Sequence, residues 1–129
     1  MSRILVVDDE EDIVELIAVN LQRKGYDTLT AYNGTAALEV ARKERPDLIL
    51  LDVMMPCQDG LTVLTRLRSD PATQATPIVI ITARRETATI FSALARGATD
   101  VILKPFGMAD MLKAVERYLS GGVLRIFYP

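Results

Sequence analysis

Four apolar runs punctuate the chain, and each stops at a polar residue. The run at 4–7 ends on Asp8 and Asp9, that at 48–51 on Asp52, that at 78–81 on Thr82, and that at 101–103 on Lys104. They are continuous Ile/Leu/Val stretches rather than alternating ones, which predicts strands of a parallel sheet covered on both faces. A fifth run at 28–31, Thr-Leu-Thr-Ala, is more polar and predicts an edge strand. Helical periodicity fills the intervals. Residues 11–24 place Ile13, Leu16, Ile17, Asn20 and Leu21 on one inward stripe, with Gly25 just past the end. Residues 34–44 turn Leu38 and Ala41 inward and are stopped by Pro46. Leu61, Leu64 and Leu67 mark a helix over 60–69, and a weak Ala- and Thr-rich helix over 86–96 ends at Gly97. The last helix, 108–119, presents Met111, Leu112, Val115 and Leu119. Strand then helix, five times over, predicts an α/β fold: a three-layer, doubly wound (βα)5 arrangement around a parallel five-stranded sheet.

In such a sheet the strand ends gather at one rim, where open α/β folds bind their ligands. Asp8, Asp9 and Asp52 at that rim bring several carboxylates together. Each has an ordinary explanation alone, because acidic residues favour a helix N-terminus and Asp is common in turns. As a group they need a cation: two unit charges ~4 Å apart repel by about 4 kcal/mol at an effective dielectric near 20. All-oxygen ligands select Mg²⁺ or a similar hard ion such as Mn²⁺. A carboxylate held against such an ion can attack a phosphoryl donor. Thr82 and Lys104 offer a hydroxyl and an ammonium for phosphoryl oxygens, and Ala83 leaves space for an incoming group. The acidic run 8–12 also lacks the glycines of a nucleotide-binding turn.

Composition narrows the chemistry further. At 129 residues, half of them hydrophobic, the chain has the size of a single domain with a real core. The start does not read as a signal peptide and no apolar run approaches a membrane span, so a soluble cytoplasmic protein without membrane contact is expected. Cys57 is the single cysteine and histidine is absent, which excludes an internal disulfide, common zinc sites, Ser-His-Asp catalysis and a histidine phosphodonor. Residues 1–83 carry 8 basic and 13 acidic side chains, a net −5, whereas residues 84–129 carry 7 and 4, a net +3. The near-neutral total argues against direct nucleic-acid binding.

The motifs Ile-Leu-Val-Val-Asp8-Asp9-Glu10, Asp47-Leu-Ile-Leu-Leu-Asp52-Val-Met-Met-Pro56, Asp59-Gly60, Ile81-Thr82-Ala83, Gly97-Ala98 and Lys104-Pro105-Phe106 together resemble the receiver domain of two-component response regulators. The resemblance covers roughly residues 2–120, which sets a receiver domain at 1–120 and leaves 121–129 as a tail or linker remnant. It implies a CheY-like, flavodoxin-like strand order 2-1-3-4-5. It implies that Asp52 is the phosphoacceptor, served by a sensor histidine kinase or a histidine phosphotransfer protein. Asp8 and Asp9 would hold Mg²⁺ with Asp52 and the backbone carbonyl of Met54, while Thr82 and Lys104 bind the phosphoryl group. The Lys104–Pro105 bond is expected to be cis. Two positions depart from the family pattern. Val101 stands where an aromatic residue usually reports the movement of the threonine, and Cys57 replaces a common glycine.

The expected function is therefore a switch rather than an enzyme, with only self-catalysed phosphotransfer and slow autodephosphorylation. Phosphorylation would reshape the 86–119 face for a downstream effector or a second copy of the chain, with Arg84, Arg85 and Arg96 as candidate contacts for an acidic partner. One alternative is a phosphorylation-independent interaction module on the same fold, which Val101 favours. Another is a phosphatase of the haloacid-dehalogenase type. That class carries its nucleophile after the first strand, whereas Asp52 follows the third.

Overall fold

Apolar side chains on both faces of every central run demand cover on both faces, and two layers of helices supply it. A computed structural model describes residues 2–53, 60–83 and 86–120. Its elements alternate strictly: β1 (Arg3–Val7), α1 (Glu11–Arg23), β2 (Asp27–Ala31), α2 (Gly34–Glu44), β3 (Leu48–Asp52), α3 (Gly60–Ser69), β4 (Ile78–Thr82), α4 (Thr87–Ala95), β5 (Asp100–Leu103) and α5 (Met108–Leu119). The strands are parallel and ordered β2-β1-β3-β4-β5, as expected.

Alternate strand residues serve opposite faces. Leu5, Val7, Ile49, Leu51, Ile78 and Ile80 pack with Ala37 and Ala41 of α2, Val63, Leu64 and Leu67 of α3, and Ala93 of α4. Ile4, Val6, Leu48, Leu50, Val79 and Ile81 pack with α1 and α5. Every residue of β3 and β4 is buried. β2 is the polar edge that its composition predicts. β5 is the other edge and only half-buried, although its run is as apolar as the central ones.

The helices lie where periodicity places them, but one face is corrected. Leu16 is not inward: it is 53% exposed, while Val14, Ile17, Ala18 and Leu21 form the buried face of α1. A residue adjacent to Ile17 is turned about 100° around the helix, so an apolar side chain there is carried to solvent. Asn20 is likewise committed to the helix itself, donating to the Leu16 carbonyl. Past α1, Gly25 adopts φ +92°, the left-handed conformation that closes the helix. The readings made for Met54, Cys57, Arg84, Arg85 and 121–129 fall outside the described residues.

Candidate functional site

The parallel register carries four strand ends to one rim. Asp52 is the last residue of β3 and pairs in register with Ile81, one residue before Thr82 at the end of β4. Thr82 pairs with Leu103, which delivers Lys104 just beyond β5. On the other side Val7 pairs with Leu51, so Asp8 and Asp9 emerge beside Asp52. Backbone hydrogen bonds continue past the strand ends and hold this rim. Val53 donates to the Ile81 carbonyl at 3.3 Å, and Lys104 N–H donates to the Thr82 carbonyl at 2.8 Å.

Carboxylate oxygens of Asp8, Asp9 and Asp52 lie within 4.8 Å of one another. Asp8 and Asp52 are each only 3% exposed and Thr82 only 1%, whereas Asp9 is more open to solvent. Lys104 Nζ donates to Asp8 Oδ2 at 3.0 Å and to Asp52 Oδ2 at 3.5 Å. The remaining Asp8 oxygen, Oδ1, accepts the Glu10 N–H at 3.0 Å where the chain enters α1. Asp8 thus closes the turn into α1 as well as facing the site, while the N-cap residue Glu10 makes no side-chain capping hydrogen bond. Among the described residues, three carboxylates and the Lys104 ammonium make up the cluster, a net negative set. An all-oxygen, anionic, partly open pocket of this kind fits a hard divalent cation.

Burial works against the charge on Lys104, but the hydrogen bond to Asp8 and the charges of Asp52 and Asp8 outweigh it and hold the ammonium above its usual 10.5. A raised lysine pKa means that the ion pair stabilises fully below pH 10.5 and fades as pH rises through the folded-state value. Lys104→Met is expected to lower stability by about 1–3 kcal/mol in Mg²⁺-free buffer at pH 7, because two buried carboxylates lose their charged donor. Urea unfolding with and without MgCl₂ checks this. Part of the loss should return with the ion, and an equal loss in both buffers would contradict the shared-charge account.

The remaining candidates are placed as follows. Ala83 is exposed at the rim. The Lys104–Pro105 peptide bond is cis. Val101 is half-buried against the cluster that contains α2, α3 and α4, on the sheet face away from α1 and α5. Sequence reasoning gave no reason for Gly60, yet a Cβ there would lie 2.5 Å from Val53 Cα and closer still to the Asp52 carbonyl. It also gave no role to Arg68, or to the Tyr118 hydroxyl, which donates to Asp100 Oδ2 at 2.6 Å. Tyr118 and Asp100 are 18 residues apart, and Arg68 bonds residues from 5 to 31 positions away, so no fixed spacing signals them.

The model of the response regulator receiver domain matches residues 4–116. Among curated proteins, the alkaline phosphatase synthesis transcriptional regulatory protein PhoP of Bacillus subtilis is 44% identical over 118 residues, covering 92% of this chain and 48% of PhoP. The DNA-binding response regulator MtrA of Mycobacterium tuberculosis is 40% identical over 118 residues, covering 92% and 50%. The chain therefore spans about half the length of these relatives. Among solved structures, chemotaxis response regulator CheY4 of Vibrio cholerae superposes with a TM-score of 0.86 at 34% identity, covering 91% of this chain and 98% of that one. The BeF3-activated N-terminal receiver domain of Klebsiella pneumoniae RstA gives 0.85 at 34% identity, covering 92% and 98%.

Proposed function

We propose, for a chain that belongs to the response regulator receiver domain family, that Asp52 is the phosphoacceptor of a signalling switch. The observation that carries this reading is the placement of Lys104 Nζ at 3.0 and 3.5 Å from two carboxylates of a three-carboxylate cluster. An Asp52 oxygen forms the new bond to phosphorus as the bond to the donor breaks. Because this chain has no histidine of its own, the donor is a phosphohistidine on a sensor kinase or phosphotransfer protein. Lys104 meets the oxygens of the transferred group, and Thr82, at the neighbouring strand end, supplies a hydroxyl. Asp8, Asp9 and Asp52, with the Met54 carbonyl, are the groups that would hold Mg²⁺ or Mn²⁺. When bound, the ion offsets negative charge on the transferred group.

The phosphoryl group carries about −1.5 to −2 charge where the carboxylate carried −1, so phosphorylation adds up to about one negative charge at the rim and three phosphoryl oxygens that accept hydrogen bonds. The response passes through Thr82 and Lys104 to α4, β5 and α5, the face on which we place the downstream effector or a second copy of the chain. Phe91 of α4, 67% exposed, lies on that face. Among the described residues no helix is long and apolar enough to cross a membrane, in keeping with a cytoplasmic role. MtrA, the curated relative named above as DNA-binding, is about twice as long as this chain. For these 129 residues, the near-neutral charge of −2 argues against direct contact with nucleic acid.

Incubation with Mg²⁺ and acetyl phosphate tests the proposal by intact-mass measurement. A single phosphoryl gain that EDTA prevents is expected. No gain would leave the phosphorylation-independent interaction module, which the aliphatic Val101 favours, as the better reading. Turnover of unrelated phosphate esters would point to a phosphatase instead.

A further inference from the structure

Among the described residues, the side-chain ties of helix α4 to the rest of the fold gather at its C-terminal end. Its last turn runs into Gly97, and the Gly97 carbonyl accepts Arg68 Nε at 2.8 Å. The same guanidinium, projecting from the last turn of α3, donates through Nη1 to the carbonyls of Gln74 and Thr76 and, more weakly, Thr73. Through Nη2 it reaches Thr99 Oγ1 at 3.3 Å. Thr99 is tied to the sheet, because its hydroxyl accepts the Ile78 N–H and its own N–H donates to the Ile78 carbonyl. All these contacts go to neutral oxygens, so the guanidinium acts as a fork that joins α3, the 70–77 loop, the α4–β5 turn and β4.

Gly97 adopts φ +103°, and a Cβ there would stand 3.0–3.2 Å from Cγ, Nε and Cδ of Arg68. The turn is therefore seated directly on the arginine. Arg96 adds a second tie, donating to the Leu61 carbonyl and Thr65 Oγ1 of α3. The other end of α4 contrasts with this. Thr87 and Ala88 are exposed, Phe91 projects outward, and Ala93 is the only buried residue of the helix. That loose end is the one nearer in sequence to Thr82.

We propose that Arg68 is a positioning residue that pins the C-terminal end of α4, so that a change at Thr82 becomes a swing of the N-terminal end rather than a shift of the whole helix. The nine residues of α4 then form a lever of about 13 Å at 1.5 Å per residue. The inference rests on the phosphorylation reading above and specifies how its signal travels.

Amide hydrogen exchange and backbone shifts of the full chain, with and without Mg²⁺ and beryllofluoride as phosphoryl analogue, test the pin. In the unsubstituted protein, changes should concentrate at 87–91 and leave 95–99 protected and unmoved. Arg68→Met keeps the apolar stem and removes the fork. Exchange at 95–99 should then rise about tenfold or more, as expected for lost hydrogen bonds to a charged donor. The beryllofluoride response should spread along all of α4, while acetyl phosphate labelling of Asp52 continues. Equal movement of both ends in the unsubstituted protein would overturn the pin, and that comparison holds even if Arg68→Met does not fold. A confined response in Arg68→Met would also overturn it. If the unsubstituted protein takes no phosphoryl group, the switch reading itself fails, and mass measurement identifies that case separately.

Discussion

Asp52→Asn should abolish phosphoryl gain from acetyl phosphate and, in Mg²⁺-free buffer, make the protein more stable. Both effects have one origin. The Asp52 carboxylate has an oxygen within 4.8 Å of one on each of Asp8 and Asp9, and the Lys104 ammonium contacts Asp8 and Asp52. Removing one of three like charges relieves its repulsion with Asp8 and Asp9 and gives up the 3.5 Å attraction to Lys104. At an effective dielectric near 20, and with solvent entering beside Asp9, the net gain should be about 1 kcal/mol. The amide keeps the shape of the carboxylate but is a far poorer nucleophile, so labelling should fall to background. Intact mass and urea unfolding read the two effects independently. A mass gain that survives the substitution would remove Asp52 as acceptor. A fall in stability would mean that the Lys104 contact outweighs both repulsions. Natural proteins commonly hold such destabilising arrangements where function requires them.

Gly60→Ala should be the most damaging single-methyl change near the site. Gly60 opens α3, is buried, and donates its N–H to the Val53 carbonyl at 2.9 Å. A methyl group there would meet the Asp52 carbonyl oxygen, Val53 Cα at 2.5 Å and Val53 C at 3.0 Å. All three are backbone atoms, so no side chain can step aside. Overpacking of this kind costs about 3 kcal/mol when the backbone has to move. The segment that must move is the end of β3, which carries Asp52. A misplacement of ~1 Å is worth about a hundredfold in rate, so acetyl phosphate labelling should slow by that order. Urea unfolding and labelling kinetics test both parts. Stability within about 0.5 kcal/mol of the parent would show that the strand end yields freely.

The sheet was legible because its physical demand is simple. Strands covered on both faces must be apolar throughout, and the runs at 4–7, 48–51 and 78–81 could serve little else in a chain that alternates them with helices. The chemistry was legible for a related reason: parallel strands send their C-terminal ends to one rim, so the residue after each run is placed by topology alone. The strand order, the roles of individual rim residues and the cis bond before Pro105 came with the family resemblance. Periodicity failed at Leu16, where the apolar stripe of α1 is wide enough to fit two phases, and packing chose the phase through Val14 and Ala18. The C-terminal edge was not distinguished either, because β5 is apolar but only half-buried. Arg68 was invisible for a different reason: its partners are scattered from Thr73 to Thr99, and an arginine in a helix's last turn resembles any solvated charge.

The Lys104–Asp8 contact joins residues 96 apart in the chain, and the Lys104–Asp52 contact joins residues 52 apart. In order of synthesis, the carboxylates belong to the first and third strands and the ammonium to the last. A chain still growing, or one whose last strand has come away, presents an acidic cluster without its counter-charge. With Asp52 as the proposed acceptor, competence to be phosphorylated would be tied to completion of the sheet. A donor that tests the rim also tests whether β5 has taken its place.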